Sequence, residues 1–205
     1  MKHMNNTIVK SLLLVAFSAI TLTLSAQTDE QKARVADVRR IYQEAGRLSE
    51  ENRMAPETNN SMTVELQRMF GGSGMQTKKM EFYYNVDDES EDGTGWTLYM
   101  VRVSYNLSAQ KFYEEYLFDE RTGNLIFAFQ QADDYDLPDG AKREYRSYFY
   151  ADGKHCQTIG QVKASNGKTS VPKDMKDLTA DCPKVKEAIA TAHDLRTIFE
   201  TAVNK

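Results

Sequence analysis

The side chains able to do acid–base chemistry are few and scattered. Beyond residue 26 the chain has two histidines, His155 and His193, and no pair at the spacing of H-E-x-x-H or another metal-binding motif. Glu114 and Glu115 are neighbouring carboxylates. On a strand they point to opposite faces, so they cannot flank one glycosidic bond. Glu114 stands among Phe112, Tyr116 and Phe118. Apolar surroundings would raise its pKa and make it an acid; a partner such as Arg102 or Arg146 would make it structural. Gly71-Gly72-Ser73-Gly74 is followed by Met75 where a nucleophile elbow needs glycine. It also lacks the Lys and Ser/Thr of a phosphate loop. No catalytic residue, metal ligand or cofactor is therefore expected, and an enzyme would have to work with dispersed carboxylates.

Residues suited to binding are more abundant. Ten of the eleven tyrosines fall between Tyr83 and Tyr150, with the single tryptophan, Trp96, among them. Aromatic rings with a polar handle can stack on a sugar or peptide, and they also pair across strands on a half-wet sheet. Trp96, Tyr113 and Tyr148 are the candidate ligand contacts. Two acidic stretches, Asp87–Gly93 and Asp133–Asp136, offer hard oxygen ligands for Ca²⁺ but do not match the EF-hand pattern, and they read first as solvated charged turns. Cys156 and Cys182 match no metal or redox motif. In an oxidising compartment they could form a disulfide closing a loop worth roughly 3–4 kcal/mol, or remain two separate apolar thiols.

The N-terminus indicates which compartment applies. Lys2, His3 and Lys10 precede the apolar run Leu12–Ile20, and Leu24-Ser25-Ala26 offers a cleavage site before Gln27. This reads as a signal peptide over residues 1–26, because the run is shorter than the roughly 20 apolar residues of a membrane span. The expected location is periplasmic or secreted, with no transmembrane span after cleavage. Losing Lys2 and Lys10 moves the formal net charge from −4 to −6. That balance argues against nucleic acid and against an anionic membrane surface as the main partner.

Residues 27–205 are read as a single α+β domain. Val35, Val38, Ile41, Tyr42, Ala45 and Leu48 recur at three and four residues and predict a helix over Asp29–Arg53, opened by a Thr28/Gln31 capping box. A second helix is predicted over Pro183–Ala202, with Asp181 as N-cap. Between them, period-2 patterns predict seven strands: Met62–Phe70, Gln76–Val86, Trp96–Tyr105, Lys111–Phe118, Leu125–Gln131, Lys142–Tyr150 and His155–Lys163. Ala164–Ala180 is polar and reads as a surface loop. Short connections imply an antiparallel β-meander of about seven strands, with both helices packed on one face. Tyr99, Val101, Val103 and Tyr105 are placed on one side of their strand, opposite Trp96, Leu98 and Met100; Leu125, Phe127 and Phe129 share a side of theirs. Both faces of the middle strands are thus partly apolar. Either another segment covers the second face or that face meets a partner.

With its leader, N-terminal helix and hairpins YLFDERTGNLIF and YFYADGK, the chain resembles small exported bacterial proteins of helix-plus-β-meander type. The FDxxTGNLI turn is similar to hairpins of PepSY-type and cystatin-like periplasmic domains. The resemblance implies a periplasmic binding or inhibitory role and transfers no active-site residue. The expected function is an exported, non-enzymatic module that binds an unknown protein, peptide or glycan. The alternative is a carrier holding a lipid or small apolar ligand in a sheet–helix cavity.

Overall fold

The computed structural model describes residues 28–54, 60–72, 74–87, 95–136, 140–176 and 178–203. Residues 1–26, read from the sequence as a signal peptide, and the acidic residues 88–93 lie outside them. The first element is helix α1, Asp29–Met54. Its start is the expected capping box: the Gln31 side chain accepts the Thr28 N–H at 3.0 Å, and the Thr28 hydroxyl accepts the Gln31 N–H at 3.2 Å. Arg47 joins Glu44 at 2.6 Å and also Glu51, one turn away on each side, along the exposed flank.

Eight strands follow in sequence: β1 Ser61–Phe70, β2 Gly74–Asp87, β3 Gly95–Leu107, β4 Gln110–Phe118, β5 Leu125–Asp133, β6 Lys142–Phe149, β7 His155–Lys163 and β8 Thr169–Ser170. They form one antiparallel sheet in the order β1 to β8, each strand paired with the next. The expected α+β meander is therefore what the chain adopts, with one further short strand. The last helix, α2, is Pro183–Val203. Its first turn donates to the Cys182 carbonyl, so Cys182 and not Asp181 takes the N-cap place; Asp181 pairs with Lys186 instead.

The two helices do not share a face. Phe82 and Tyr83 are consecutive strand residues and point oppositely. Phe82 packs with Met80, Val101, Val103, Tyr116 and Ala128 beneath Val185, Ala188, Ala192, Leu195 and Phe199 of α2. Tyr83 packs with Met100, Leu117, Phe127 and Tyr148 beneath Val35, Val38 and Ala45 of α1. Each helix carries one apolar stripe and can cover one side only, so a sheet apolar on both sides takes one helix per side. The second face is thus covered in part by the chain itself.

Single-residue bulges move several side chains from their expected side. Tyr83 pairs with Met100 and Tyr84 with Leu98, which leaves Tyr99 as an extra residue in β3. Tyr99 and Met100 consequently both face α1, while Trp96, Leu98, Val101 and Val103 face α2. Ile126 is the extra residue in β5, opposite the Leu117–Phe118 step, so Leu125 faces α2 and Phe127 and Phe129 face α1. The expected loop 164–180 is partly ordered. It contributes β8 and a 3₁₀ turn, Lys173–Met175, that seats Met175 over Gly160. A Cβ at Gly160 would lie 2.9 Å from the Met175 Cβ, so this position requires glycine for the close approach.

Candidate functional site

The face beneath α1 changes character along its strands, and cross-strand pairing fixes the order. Under the helix lies an apolar row, Met100–Leu117–Phe127–Tyr148. Next is Arg102–Glu115–Phe129–Arg146, then Ser104–Tyr113–Gln131–Glu144–Gln161. The helix packs on the apolar end, and its Tyr42, Ser49 and Glu50 side chains reach the Arg102–Glu115 pair of the next row. The rows beyond it form the floor of an open cleft of about 1170 Å³, walled on one side by Tyr42 of α1 and lined by residues from β1 through β7.

Charges in the floor are held by a polar network. Both Tyr42 and Tyr113 donate their hydroxyls to Glu115, Tyr113 at 2.5 Å. Arg102 lies 3.6 Å from Glu115 by Nε, and donates to Glu50 at 3.2 Å and to the Ser49 hydroxyl at 2.9 Å. Burial, followed by the neighbouring Glu115 charge, raises the pKa of Tyr42 and of Tyr113, so both hydroxyls stay protonated donors. Glu144, 1% exposed, accepts from Gln131 at 3.0 Å, Gln161 at 2.6 Å and Arg146 at 2.9 Å. The Arg146 guanidinium lies 5.0 Å from the centre of the Phe129 ring, and Tyr113 meets that ring edge-on at 6.3 Å. Phe129, Tyr113 and Tyr42 thus form an aromatic step held in place by saturated carboxylates.

Of the three expected ligand contacts, Tyr113 alone lines the cleft. Trp96 is on the α2 face, edge-on to Tyr84 at 5.3 Å. Tyr148 is on the cleft's face but 1% exposed, buried under α1 and capped by Arg39. The three rings therefore make no common platform. Glu114 also differs from expectation. It faces α2, away from Arg102, and accepts from the Tyr105 and Tyr116 hydroxyls at 3.1 and 2.8 Å. The carboxylate of β4 that pairs with Arg102 is Glu115, one residue on and on the other side.

Cys156 and Cys182 are both free thiols. Cys156 belongs to the cluster under α1 and Cys182 packs against the cluster under α2, so the sheet separates them and the disulfide is not formed. Among the described residues no group of three or more His, Cys, Asp or Glu is placed to hold a metal. In the second acidic stretch Asp134 is taken by Arg143 at 2.5 Å.

Phe129, Gln131 and Glu144 are not among the ligand contacts expected from the sequence. Their signal is positional: each occupies the α1-facing parity of its strand, which becomes a site only when register sets them side by side. Among the described residues no helix is long and apolar enough to cross a membrane. Comparison with known protein families, curated proteins and solved structures finds no match to this chain.

Proposed function

We propose that this is an exported, non-enzymatic binding module that holds its ligand in the open cleft beside α1. The observation that carries the reading is the aromatic step Tyr42–Tyr113–Phe129 set among polar side chains in a concave sheet surface. Ligand sites are typically concave, largely apolar and oriented by a few polar groups. Regular strands also hold such groups more firmly than loops do. The apolar parts of both faces are occupied by helices, so the polar half of the α1 face is the favoured binding surface and a broad exposed apolar sheet is not. Glu115 and Glu144 are saturated by donors, which favours binding over acid–base chemistry. Export rests on the leader-like residues 1–26.

Carriage of a lipid or small apolar ligand is the second reading. It draws on Leu66, Met75, Phe112 and Phe129, which also line the cleft. The experiment is a thermal-shift screen of Gln27–Lys205 against glycans, peptidoglycan fragments, fatty acids and Ca²⁺. A ligand that binds the native state alone raises stability by RT ln(1 + [L]/Kd). One class should shift melting in the wild type and not in Tyr113→Ala, each read against its own ligand-free melting. A flat screen, or a shift that survives Tyr113→Ala unchanged, contradicts the proposal.

A further inference from the structure

At the outer end of the cleft, the pairing sets a row of charges side by side. Asp133 pairs with Lys142, and Lys142 with Lys163, while Lys111 adjoins Asp133 through the Phe112–Ala132 pair. All four residues line the cleft. Lys142 and Lys163 are half-buried and directly opposed on neighbouring strands, an arrangement that destabilises a sheet when the charges are alike. The Lys142 ammonium donates to the neutral Gln131 side chain at 3.1 Å. Among the described residues, none of the three ammonium groups has a carboxylate partner. The one acid in the row, Asp133, accepts the Lys111 backbone N–H at 3.1 Å. The row therefore holds a local excess of positive charge on a chain whose formal charge is −4.

We infer that the Lys111–Lys142–Lys163 row receives an anionic group, a carboxylate or a phosphate, of a ligand whose apolar or ring-bearing body lies on Tyr113 and Phe129. This inference rests on the binding role proposed for the cleft and adds the ligand's chemistry to it. An anion between the opposed ammonium groups relieves their repulsion and gains charge-assisted hydrogen bonds. The aromatic step begins one row further in, since Tyr113 and Gln131 stand two residues along their strands from Lys111 and Asp133. A ligand with its anion at the rim thus extends its body over the rings. Polar groups at Ser104, Gln131 and Thr77 flank that path.

Two naphthalene dyes separate the charge from the body: anionic 8-anilino-1-naphthalenesulfonate and neutral N-phenyl-1-naphthylamine. Both are titrated into Gln27–Lys205 and into Lys142→Gln/Lys163→Gln, with fluorescence as the readout. The wild type should bind the anionic dye more tightly. The double variant should bind it about tenfold more weakly, a difference of about 1.4 kcal/mol. Neutral-dye affinity should change less than about twofold, and only the anionic dye should weaken with added salt. Without ligand, the double variant should melt no lower than the wild type, because a like-charge pair has been removed.

Competition against the bound anionic dye then identifies the source of the anion. Displacement by laurate points to a free ligand. Displacement by phosphatidylglycerol vesicles, and not by phosphatidylcholine vesicles, points to a lipid headgroup. Either result supports the row, and displacement by neither overturns it. Equal binding of both dyes to both proteins overturns the anion row and leaves the cleft standing. Failure of both dyes to bind the wild type overturns the cleft reading along with it. A lower melting temperature for the ligand-free double variant overturns the inference by making the lysines structural.

Discussion

Replacing Glu115 by glutamine keeps the side chain's shape and removes its charge, so it tests whether the carboxylate fastens α1 to the sheet. In the native protein Glu115 is 5% exposed, accepts hydroxyls from Tyr42 and Tyr113, and is the strand partner of Arg102. A hydrogen bond to a charged group contributes about 1.5–3 kcal/mol net, against about 0.5–1.5 for a neutral one. Breaking a buried ion pair costs about 3–5 kcal/mol where the other ion is left alone. Arg102 is not left alone, because Glu50 and Ser49 still accept from it. The expected loss for Glu115→Gln is therefore about 2–3 kcal/mol. For a chain of this size that corresponds to a melting shift of roughly 4–12 °C. Urea unfolding of the wild type, Glu115→Gln, Tyr42→Phe and the double variant forms the cycle. Tyr42→Phe should cost about 1.5–3 kcal/mol alone and about 1 kcal/mol less than that in the Glu115→Gln background, because the charge-assisted part is already gone. A Glu115→Gln variant within about 0.5 kcal/mol of wild type would be indistinguishable from an ordinary surface change, and it or strictly additive losses would refute the reasoning.

Three further outcomes follow from single positions. Gly123 has φ +67° in the β4–β5 turn, and a Cβ there would lie 2.6 Å from Arg196, which donates to its carbonyl at 3.0 Å; Gly123→Ala should lower stability by about 1–2 kcal/mol in urea unfolding. His155 is held by Thr158 at 2.8 Å and burial lowers its pKa below 6.5, so the unfolded chain takes up the proton first and stability falls as pH drops below about 6.5. His155→Gln should flatten that part of the pH dependence, read as the urea midpoint at pH 7.5 and 5.5 relative to wild type; an unchanged slope would contradict it. Tyr148 lies under α1 and outside the cleft lining, so Tyr148→Ala should cost about 3–5 kcal/mol of stability, and a variant that melts normally but loses binding would show this placement to be wrong.

Much of the architecture was legible because strand and helix periods differ. Met80, Phe82 and Tyr84 alternate as a strand requires, and Val35, Val38 and Ala45 follow helical spacing. The bulges were not read, although their trace was present. That trace is the uninterrupted apolar runs Leu98–Val101 and Leu125–Phe129, which contain Tyr99-Met100 and Ile126-Phe127 and hide a change of phase, and one extra residue reverses the parity of everything beyond it. That reversal is why Leu125 and Phe127, expected together, face opposite helices. The assignment of both helices to one face failed for a different reason. A helix stripe states that one side is buried without naming the sheet face that buries it. The cleft was the least legible feature. Lys111, Lys142 and Lys163 lie far apart in sequence and meet only through register across four strands. Tyr113 is legible because a strand tyrosine combines an apolar ring with a polar handle. Phe129 reads as one more apolar strand residue and Gln131 as a polar strand end, so neither carries a site signal of its own.

The measurement that tests the central claim most directly is backbone chemical-shift mapping of isotope-labelled Gln27–Lys205 during titration with 8-anilino-1-naphthalenesulfonate. The account predicts saturable shifts centred on Ser104, Tyr113, Gln131 and Glu144, with Trp96 and the α2 face unaffected. Shifts centred on Trp96 or on α2, or shifts that never saturate, would contradict the claim that the cleft beside α1 is the binding site.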